Sequence, residues 1–284
     1  MKPKVIAIAG PTASGKTKMA IDLAKQVNGE IISADSRYVY KGFDIASAKP
    51  TIEEMDGIAH HLIDIVEPEV DYSVADFYDD ARDKIYEILN RGKTPIVAGG
   101  TGLYFRVLLE NYDLPRVEAN PILREELSLR DREDLLNELK SLDANGYEKV
   151  KDANLRRIIR ALEITKILGK PFSEVAVEKE PEFDVEWKMP IIESREILYE
   201  KINRRVDLMV EQGVIEETQN LLNKHGRIKN FVCTIGYQEI LTYLDGKNSL
   251  EEALDKLKQH TRNYAKRQLT WFRKNPELEK YCRI

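Results

Sequence analysis

The feature that most constrains the fold of this chain is a short glycine-containing loop near its N-terminus. Residues 10–17 read GPTASGKT and fit the pattern G-x-x-x-x-G-K-[ST] of phosphate-binding loops. The apolar run at residues 5–9 predicts a buried parallel strand before the loop. Apolar residues then recur at helical spacing as far as Val27, which predicts a helix that begins at the loop. A strand, a tight turn and a helix N-terminus in this order predict a site for a polyphosphate.

Each residue type in this phosphate loop has a physical role. Glycine lets the backbone turn tightly, so that the N–H groups converge on an anion. The helix N-terminus adds partial positive charge and the lysine adds a full one. We expect the phosphate-binding residues to be Gly10, Thr12, Ala13, Ser14, Gly15, Lys16 and Thr17. The Thr17 hydroxyl is the predicted protein ligand of a magnesium ion.

Composition restricts the class of protein. The chain has 284 residues, 42% hydrophobic and 33% charged, as in ordinary globular proteins, and its length suggests two domains. Its apolar runs are much shorter than the roughly 20 residues of a membrane helix. Cys233 and Cys282 cannot build a disulfide framework or a common zinc site. We therefore expect a cytoplasmic protein without membrane spans or zinc.

The distribution of charge leaves a nucleic-acid partner open. The formal net charge is −5, yet residues 258–274 contain six Lys or Arg and no acidic residue. A second basic cluster comprises Arg156, Arg157 and Arg160. Such clusters are found both on nucleic-acid-binding surfaces and on solvated helix faces, so charge alone does not decide between them.

Strand and helix patterns alternate in the first part of the chain. Residues 30–34 and 94–98 are strand candidates, and the apolar residues of 74–88 recur at helical spacing between them. This alternation predicts an α/β fold, a P-loop NTPase-like parallel sheet with helices on both faces. Ligands of such sheets bind at the carboxyl ends of the strands. We therefore expect Gly10, Asp35 and Gly99 to converge.

The pattern changes in the middle of the chain. Charged helical patterns replace strand signals between residues 115 and 185, which predicts an inserted all-helical domain. The core domain is then formed by residues 1–114 and 186–284. Residues 189–192 are predicted to form one more strand before a series of helices.

Two segments beyond the phosphate loop carry candidate chemistry. Asp35 ends the second predicted strand, where a carboxylate either helps to hold magnesium, accepts a proton or caps a turn. Three glycines surround Thr101, whose hydroxyl either donates to a phosphate oxygen or caps a helix. His60 and His61 point to opposite faces of an extended segment, so we interpret them as structural.

Together these pieces resemble the tRNA dimethylallyltransferase family, also called tRNA isopentenyltransferases, of the bacterial type. The matching motifs follow the family's order over nearly the whole chain: GPTASGKT at 10–17, Asp35 with Ser36, YKGFDI at 40–45, AKP at 48–50, HHLID at 60–64, GGTGLY at 99–104, RIIRALE at 157–163, IGY at 235–237, AKRQ at 265–268 and TWFR at 270–273.

The resemblance implies a reaction and its partners. A dimethylallyl group would pass from dimethylallyl diphosphate to the exocyclic amine of the tRNA adenosine that lies 3′ of the anticodon, with pyrophosphate released and Mg²⁺ as cofactor. The insertion would grip the anticodon stem-loop, and the enzyme would be a monomer. The implied catalytic residues are Asp35, which accepts the amine proton, and Thr101, Lys16 and Arg195, which contact the diphosphate.

The resemblance also implies a set of tRNA contacts. The adenine-facing residues would be Asp35, Ser36, Arg37, Tyr38 and Thr101, and those of the insertion would be Arg124, Arg156, Arg157 and Arg160. Two positions depart from the family pattern. Tyr38 stands where glutamine is frequent, and Cys233 stands where some members have arginine.

Three other functions use the same phosphate loop. An adenylate isopentenyltransferase would modify free AMP, ADP or ATP, although the basic insertion favours tRNA. A small-molecule kinase would transfer phosphate rather than release pyrophosphate. A GTP-dependent switch is disfavoured because residues 223–226, NKHG, fail the guanine-reading pattern Asn-Lys-x-Asp at its last position.

Overall fold

The computed structural model describes residues 2–113, 115–177 and 179–283. The chain divides into two compact units, a core unit of Met1–Leu109 with Glu182–Ile284 and an insertion unit of Glu110–Pro181. Both boundaries lie a few residues earlier than the predicted ones at 115 and 185. Residue 114, at the predicted border, lies outside the described residues.

The core unit contains a parallel sheet of five strands, in agreement with the predicted α/β fold. The strands are β1 (Lys4–Ala9), β2 (Gly29–Ala34), β3 (His60–His61), β4 (Thr94–Gly99) and β5 (Asp184–Lys188). Their spatial order is β3-β2-β4-β1-β5, and all neighbours run parallel. The interior strand β1, between β4 and β5, is apolar and buried from Val5 onward because helices cover both of its faces.

The last strand corrects two predictions. β5 begins at Asp184, within the segment that we assigned to the helical insertion, and continues into the predicted core domain; it pairs with β1 in register from Lys4 opposite Asp184. Its alternation of charged residues with Val185 and Trp187 is typical of an edge strand with one buried face. The strand predicted at residues 189–192 is wrong: the ladder ends before Pro190, which has no N–H to donate.

The helices follow the chain in three groups. Before the insertion they are α1 (Lys16–Val27), α2 (Ile52–Met55), α3 (Val74–Asn90) and α4 (Gly102–Leu108). The insertion unit contains α5 (Pro121–Ser128), α6 (Arg132–Leu142), α7 (Ala144–Val150), α8 (Leu155–Leu168) and α9 (Phe172–Val175). After it come α10 (Arg195–Glu211), α11 (Val214–His225), α12 (Lys229–Val232), α13 (Tyr237–Leu244), α14 (Leu250–Phe272) and a 3₁₀ helix, Glu279–Cys282.

The two faces of the sheet are buried by different helices. Val5 and Ala7 of β1 belong to a cluster with residues of α3, α4, α10 and α14, whereas Ile6 and Ile8 pack with residues of α1. This division follows from the two-residue side-chain period of a strand. The helices therefore cover both faces, as predicted, and none of those described is long and apolar enough to span a bilayer.

The strand register fixes where the site lies. Ala9 of β1 and Ala34 of β2 are both paired with Gly99 of β4, which lies between these two strands. The next residues, Gly10, Asp35 and Gly100, therefore leave the sheet side by side. The expected convergence at the carboxyl ends is confirmed.

The insertion unit has its own apolar core and one buried carboxylate. Leu127, Leu135 and Leu139 pack against α8, which also carries Glu163 with no exposed surface. Glu163 accepts hydrogen bonds from the Arg124 guanidinium at 2.8 and 2.9 Å, from the Arg160 guanidinium and from the Asn120 N–H. Burial alone would raise the pKa of Glu163, but these donors lower it below the ordinary value.

We expect Glu163→Gln to destabilise the insertion unit by about 3 kcal/mol, because it leaves two guanidinium groups without their shared anion. Urea unfolding measures the loss. The matched control is Glu148→Gln, which removes an exposed pair with Lys151 and should cost less than about 1 kcal/mol. Equal losses in the two variants would contradict a special role for Glu163.

Candidate active site

A cleft of about 470 Å³ lies in the core unit where the phosphate loop meets the segment after β2. Its other walls come from α10, from the segment before α13 and from α14. Its polar and aromatic lining residues are Thr12, Lys16, Asp35, Ser36, Arg37, Tyr38, Ser47, Arg205, Cys233, Thr234, Gln238, His260, Thr261, Asn263, Tyr264, Arg267 and Gln268. Asp35 is the one carboxylate among the described lining residues, and it faces a cleft that also contains Lys16, Arg37, Arg205 and Arg267.

The phosphate loop has the backbone shape that anion binding requires. Gly15 has a φ of 87° and immediately precedes α1, and Ala13 has a φ of 61°. Within the described chain, no acceptor is found for the N–H groups of Ala13, Ser14 and Gly15. These groups therefore remain able to donate to the oxygens of an anion at the helix N-terminus.

Lys16 is partly buried beside charged groups of both signs. Burial lowers the pKa of its ammonium group to about 8, Asp35 opposes this shift, and Arg205 adds to it. Its Nζ atom lies 3.3 Å from the Pro11 carbonyl oxygen, to which it donates. Because burial removes water from the ammonium group, its charged form is destabilised. An anionic ligand compensates for this lost hydration and so stabilises the charged form.

The segment after β2 forms the opposite wall. The Asp35 carboxylate accepts the Arg37 N–H at 2.9 Å, which is an Asx turn. The Tyr38 hydroxyl donates to the Ala48 carbonyl at 2.6 Å, and burial raises its pKa. Tyr38 therefore offers the cleft its ring, since its hydroxyl hydrogen is already donated.

Thr101 lies beside the cleft and contacts two of its walls. Its hydroxyl accepts the Ser36 N–H at 3.1 Å and also faces Tyr264 of α14, whose pKa burial raises. Thr101 precedes α4 but makes no side-chain capping bond, so the capping alternative is wrong.

The glycines around Thr101 serve packing rather than phosphate approach. A Cβ atom at Gly99 would lie 2.2 Å from the Ala34 carbonyl oxygen. One at Gly100 would lie 2.2 Å from Gln268 Nε2, and one at Gly102 would lie 2.1 Å from the Trp271 ring. The missing side chains at these glycines let β2 and α14 pack closely against the loop. A glycine-rich turn of this kind suggests close approach of a ligand, but here the close neighbours are other parts of the protein.

The arginine of α10 that contacts the phosphate loop is Arg205, whereas the sequence led us to expect Arg195 there. Arg195 is exposed in the first turn of α10 and does not line the cleft. Arg205, ten residues later and about 15 Å along the helix, donates from Nη1 to the Thr12 hydroxyl at 3.3 Å. The sequence contains a signal for this position of Arg205, because Arg205 lies at helical spacing between Ile202 and Met209, which are buried.

Sequence reasoning also missed three residues of α14. Gln268 is only 5% exposed, Tyr264 lines the cleft, and His260 pairs through Nδ1 with the buried Glu239. The basic character of this helix was noted in the sequence. What periodicity could not show is which of its faces meets the phosphate loop.

The predicted tRNA contacts of the insertion unit fall into two groups. Arg124 and Arg160 hold Glu163, although each keeps part of its guanidinium exposed. Arg156 and Arg157 are exposed in the first turn of α8, and no described residue pairs with either. Among these four arginines, Arg156 and Arg157 are the ones available to a partner.

Comparison with known proteins places this geometry in a family. The model of the IPP transferase family matches residues 38–275. The tRNA dimethylallyltransferase of Halalkalibacterium halodurans is 47% identical over 280 residues, covering 96% of this chain and 89% of that protein. The Bacillus pumilus tRNA dimethylallyltransferase is 44% identical over 283 residues, covering 98% and 89%.

Solved structures agree with the sequence relatives. The full-length tRNA isopentenylpyrophosphate transferase of Bacillus halodurans superposes with a TM-score of 0.71 at 44% identity, over 97% of this chain and 88% of that one. A eukaryotic dimethylallyltransferase acting on tRNA gives a TM-score of 0.80 at 32% identity, over 95% and 70%. The resemblance that the motifs indicated is confirmed, and the chain belongs to the IPP transferase family.

Proposed function

We propose that this protein transfers a dimethylallyl group from dimethylallyl diphosphate to the N6 amine of the adenosine 3′ of the anticodon in tRNA. The observation that carries the proposal is the charge arrangement of the cleft. Asp35, the one carboxylate among the described lining residues, shares the cleft with Lys16 of the phosphate loop and with Arg205 of α10. Family membership and relatives named tRNA dimethylallyltransferase support the same reaction.

The residues divide the chemistry between the two walls. A bond forms between adenine N6 and C1 of the dimethylallyl group while the bond from C1 to the diphosphate oxygen breaks. Negative charge grows on the leaving pyrophosphate, and Lys16, Arg205 and the loop N–H groups stabilise it. Asp35 accepts the proton that N6 loses. Thr101 supports the Asp35 side of the cleft by accepting the Ser36 N–H.

The donor set of the site fits Mg²⁺. This ion retains several waters and binds through one or two protein oxygens together with substrate phosphates. The described chain has no group of three or more His, Cys, Asp or Glu side chains suited to a metal, and such an ion does not need one. Thr17, in the first turn of α1, would hold it. When bound, the ion would neutralise charge on the diphosphate.

The tRNA would be held by both units. Ser36, Arg37 and Tyr38 line the cleft, where an unstacked adenine would enter. Arg156 and Arg157 offer guanidinium groups to RNA phosphates, and contacts of this kind position an RNA without reading its sequence. We further propose that the enzyme acts as a monomer and works in the cytoplasm.

We expect purified protein with Mg²⁺ and labelled dimethylallyl diphosphate to label unmodified tRNA. The Asp35→Asn variant should lower kcat by about 10²–10⁴-fold, because N6 loses its proton acceptor. Its affinity for pyrophosphate should be kept or increased, since removing a carboxylate leaves the cations of the cleft unopposed. Filter-bound label and calorimetric titration with pyrophosphate measure the two effects.

The matched control for this experiment is Asp22→Asn, which changes an exposed carboxylate paired with Lys18 on α1 and should leave both quantities unchanged. Parallel reactions contain AMP, ADP or ATP instead of tRNA. Label in a free nucleotide alone would replace the proposal with an adenylate isopentenyltransferase. ATP hydrolysis or phosphate transfer without label in either acceptor would replace it with a kinase.

The depressed pKa of Lys16 predicts a pH dependence of anion binding. Free Lys16 loses its proton as the pH rises through about 8, and a neutral amine attracts pyrophosphate less. We therefore expect affinity to fall above pH 8, by at most about tenfold per pH unit. In Lys16→Arg the cation persists throughout this range. Calorimetry between about pH 6.5 and 9.5 would contradict the prediction if both proteins gave parallel curves.

A further inference from the structure

Gln268 joins two loops of the active site through its primary amide. It lies on α14, and its side-chain Oε1 accepts the Thr12 N–H of the phosphate loop at 2.9 Å. Its Nε2 donates to the Gly100 carbonyl at 3.0 Å. These two partners follow β1 and β4, which are neighbouring strands. One side chain thus connects the loop that binds the diphosphate with the loop that contains Thr101.

The fit around Gln268 is close on the Gly100 side. A Cβ atom at Gly100 would lie 2.2 Å from Gln268 Nε2, so position 100 must be glycine for the amide to reach the carbonyl. Trp271, one turn further along α14, closes on Gly102 in the same way. The side chain at 268 must accept from one loop and donate to the other. Glutamate would only accept, and methionine would do neither.

Both hydrogen-bond partners of Gln268 lie next to residues that the proposed reaction uses. The Thr12 hydroxyl accepts from Arg205, so Thr12 is held from two sides. Gly100 precedes Thr101, whose hydroxyl accepts the Ser36 N–H next to Asp35. The distance between the phosphate loop and the segment after β2 that contains Asp35 (the Asp35 wall) therefore depends on the amide at position 268.

We propose that Gln268 is a positioning residue that holds the phosphate loop in register with the Thr101 loop. It keeps the allylic carbon of the donor aligned with the adenine amine beside Asp35. The inference rests on the proposed function. It goes beyond it by assigning a role to a residue that is distant in sequence from both loops and performs no bond chemistry itself.

The test compares Gln268→Met and Gln268→Glu with wild type. Gln268→Met keeps the length of the side chain and removes both hydrogen bonds. We expect kcat to fall about 10–100-fold, because misalignment of this size is costly. Pyrophosphate affinity should weaken about three- to tenfold as Thr12 loses one support. Affinity for tRNA should stay within about twofold, since the exposed arginines of the insertion unit are unchanged.

Gln268→Glu separates the two hydrogen bonds. It keeps an acceptor for Thr12 but sets a carboxylate oxygen against the Gly100 carbonyl and adds negative charge beside the phosphate loop. We expect it to bind pyrophosphate more weakly than Gln268→Met does. The matched control is Gln219→Met, which removes the side-chain bond to Asn223 on α11, outside the cleft. It should behave as wild type.

Thermal unfolding and tRNA binding distinguish positioning from general stability. A merely structural role would lower the melting temperature and weaken both substrates together, and this result would overturn the proposal. Wild-type kcat and pyrophosphate affinity in Gln268→Met would overturn it as well. If wild-type protein failed to modify tRNA, the proposed function would fall, yet the pyrophosphate titrations would still test the link between Gln268 and the phosphate loop.

Discussion

The register of β4 between β1 and β2 is the constraint on which the rest of the site depends. Ala9 and Ala34 are level with Gly99, so the three following segments start at one edge of the sheet. That edge receives the phosphate loop, the Asp35 wall and the Thr101 loop at once. A shift of β4 by one residue would reverse its side chains and move Thr101 away from Ser36. Backbone pairing therefore sets where the three segments leave the sheet, and side chains that join them, such as Gln268, hold them in register.

Electrostatics then assigns roles within that frame. The whole chain carries a net charge of −5, yet Asp35 is the single carboxylate among the described residues that line the cleft. Burial is the main cause of the lowered pKa of Lys16, and repulsion from the nearby Arg205 adds to it. An anion between them relieves this repulsion. Part of the favourable free energy of diphosphate binding therefore comes from removing an unfavourable interaction of the free protein. The net charge of the whole chain does not reveal this local excess of positive charge.

Local signals predicted the elements of the site, and tertiary contacts supplied what those signals missed. The phosphate loop and Asp35 were predictable because each lies directly beside a strand with a clear apolar pattern. Arg205 and Gln268 lie 193 and 256 residues from Thr12, so only the packing of α10 and α14 could place them. β5 was missed because an edge strand carries too few apolar residues to stand out among charged helices. The roles of the arginines in the insertion unit depended on Glu163, whose burial no pattern of charge reveals.

The glycines around Thr101 show why such a site needs both ends of the chain. In the sequence a glycine-rich turn after a strand indicates room for a ligand, and at Gly15 an added Cβ atom would meet nothing within 4 Å. At Gly100 and Gly102 the space is filled by Gln268 and Trp271 of the last long helix. A loop that must admit a helix so closely cannot take its final shape until that helix packs. The catalytic geometry therefore forms together with the tertiary fold, because the first loop of the chain is held in place by its last long helix.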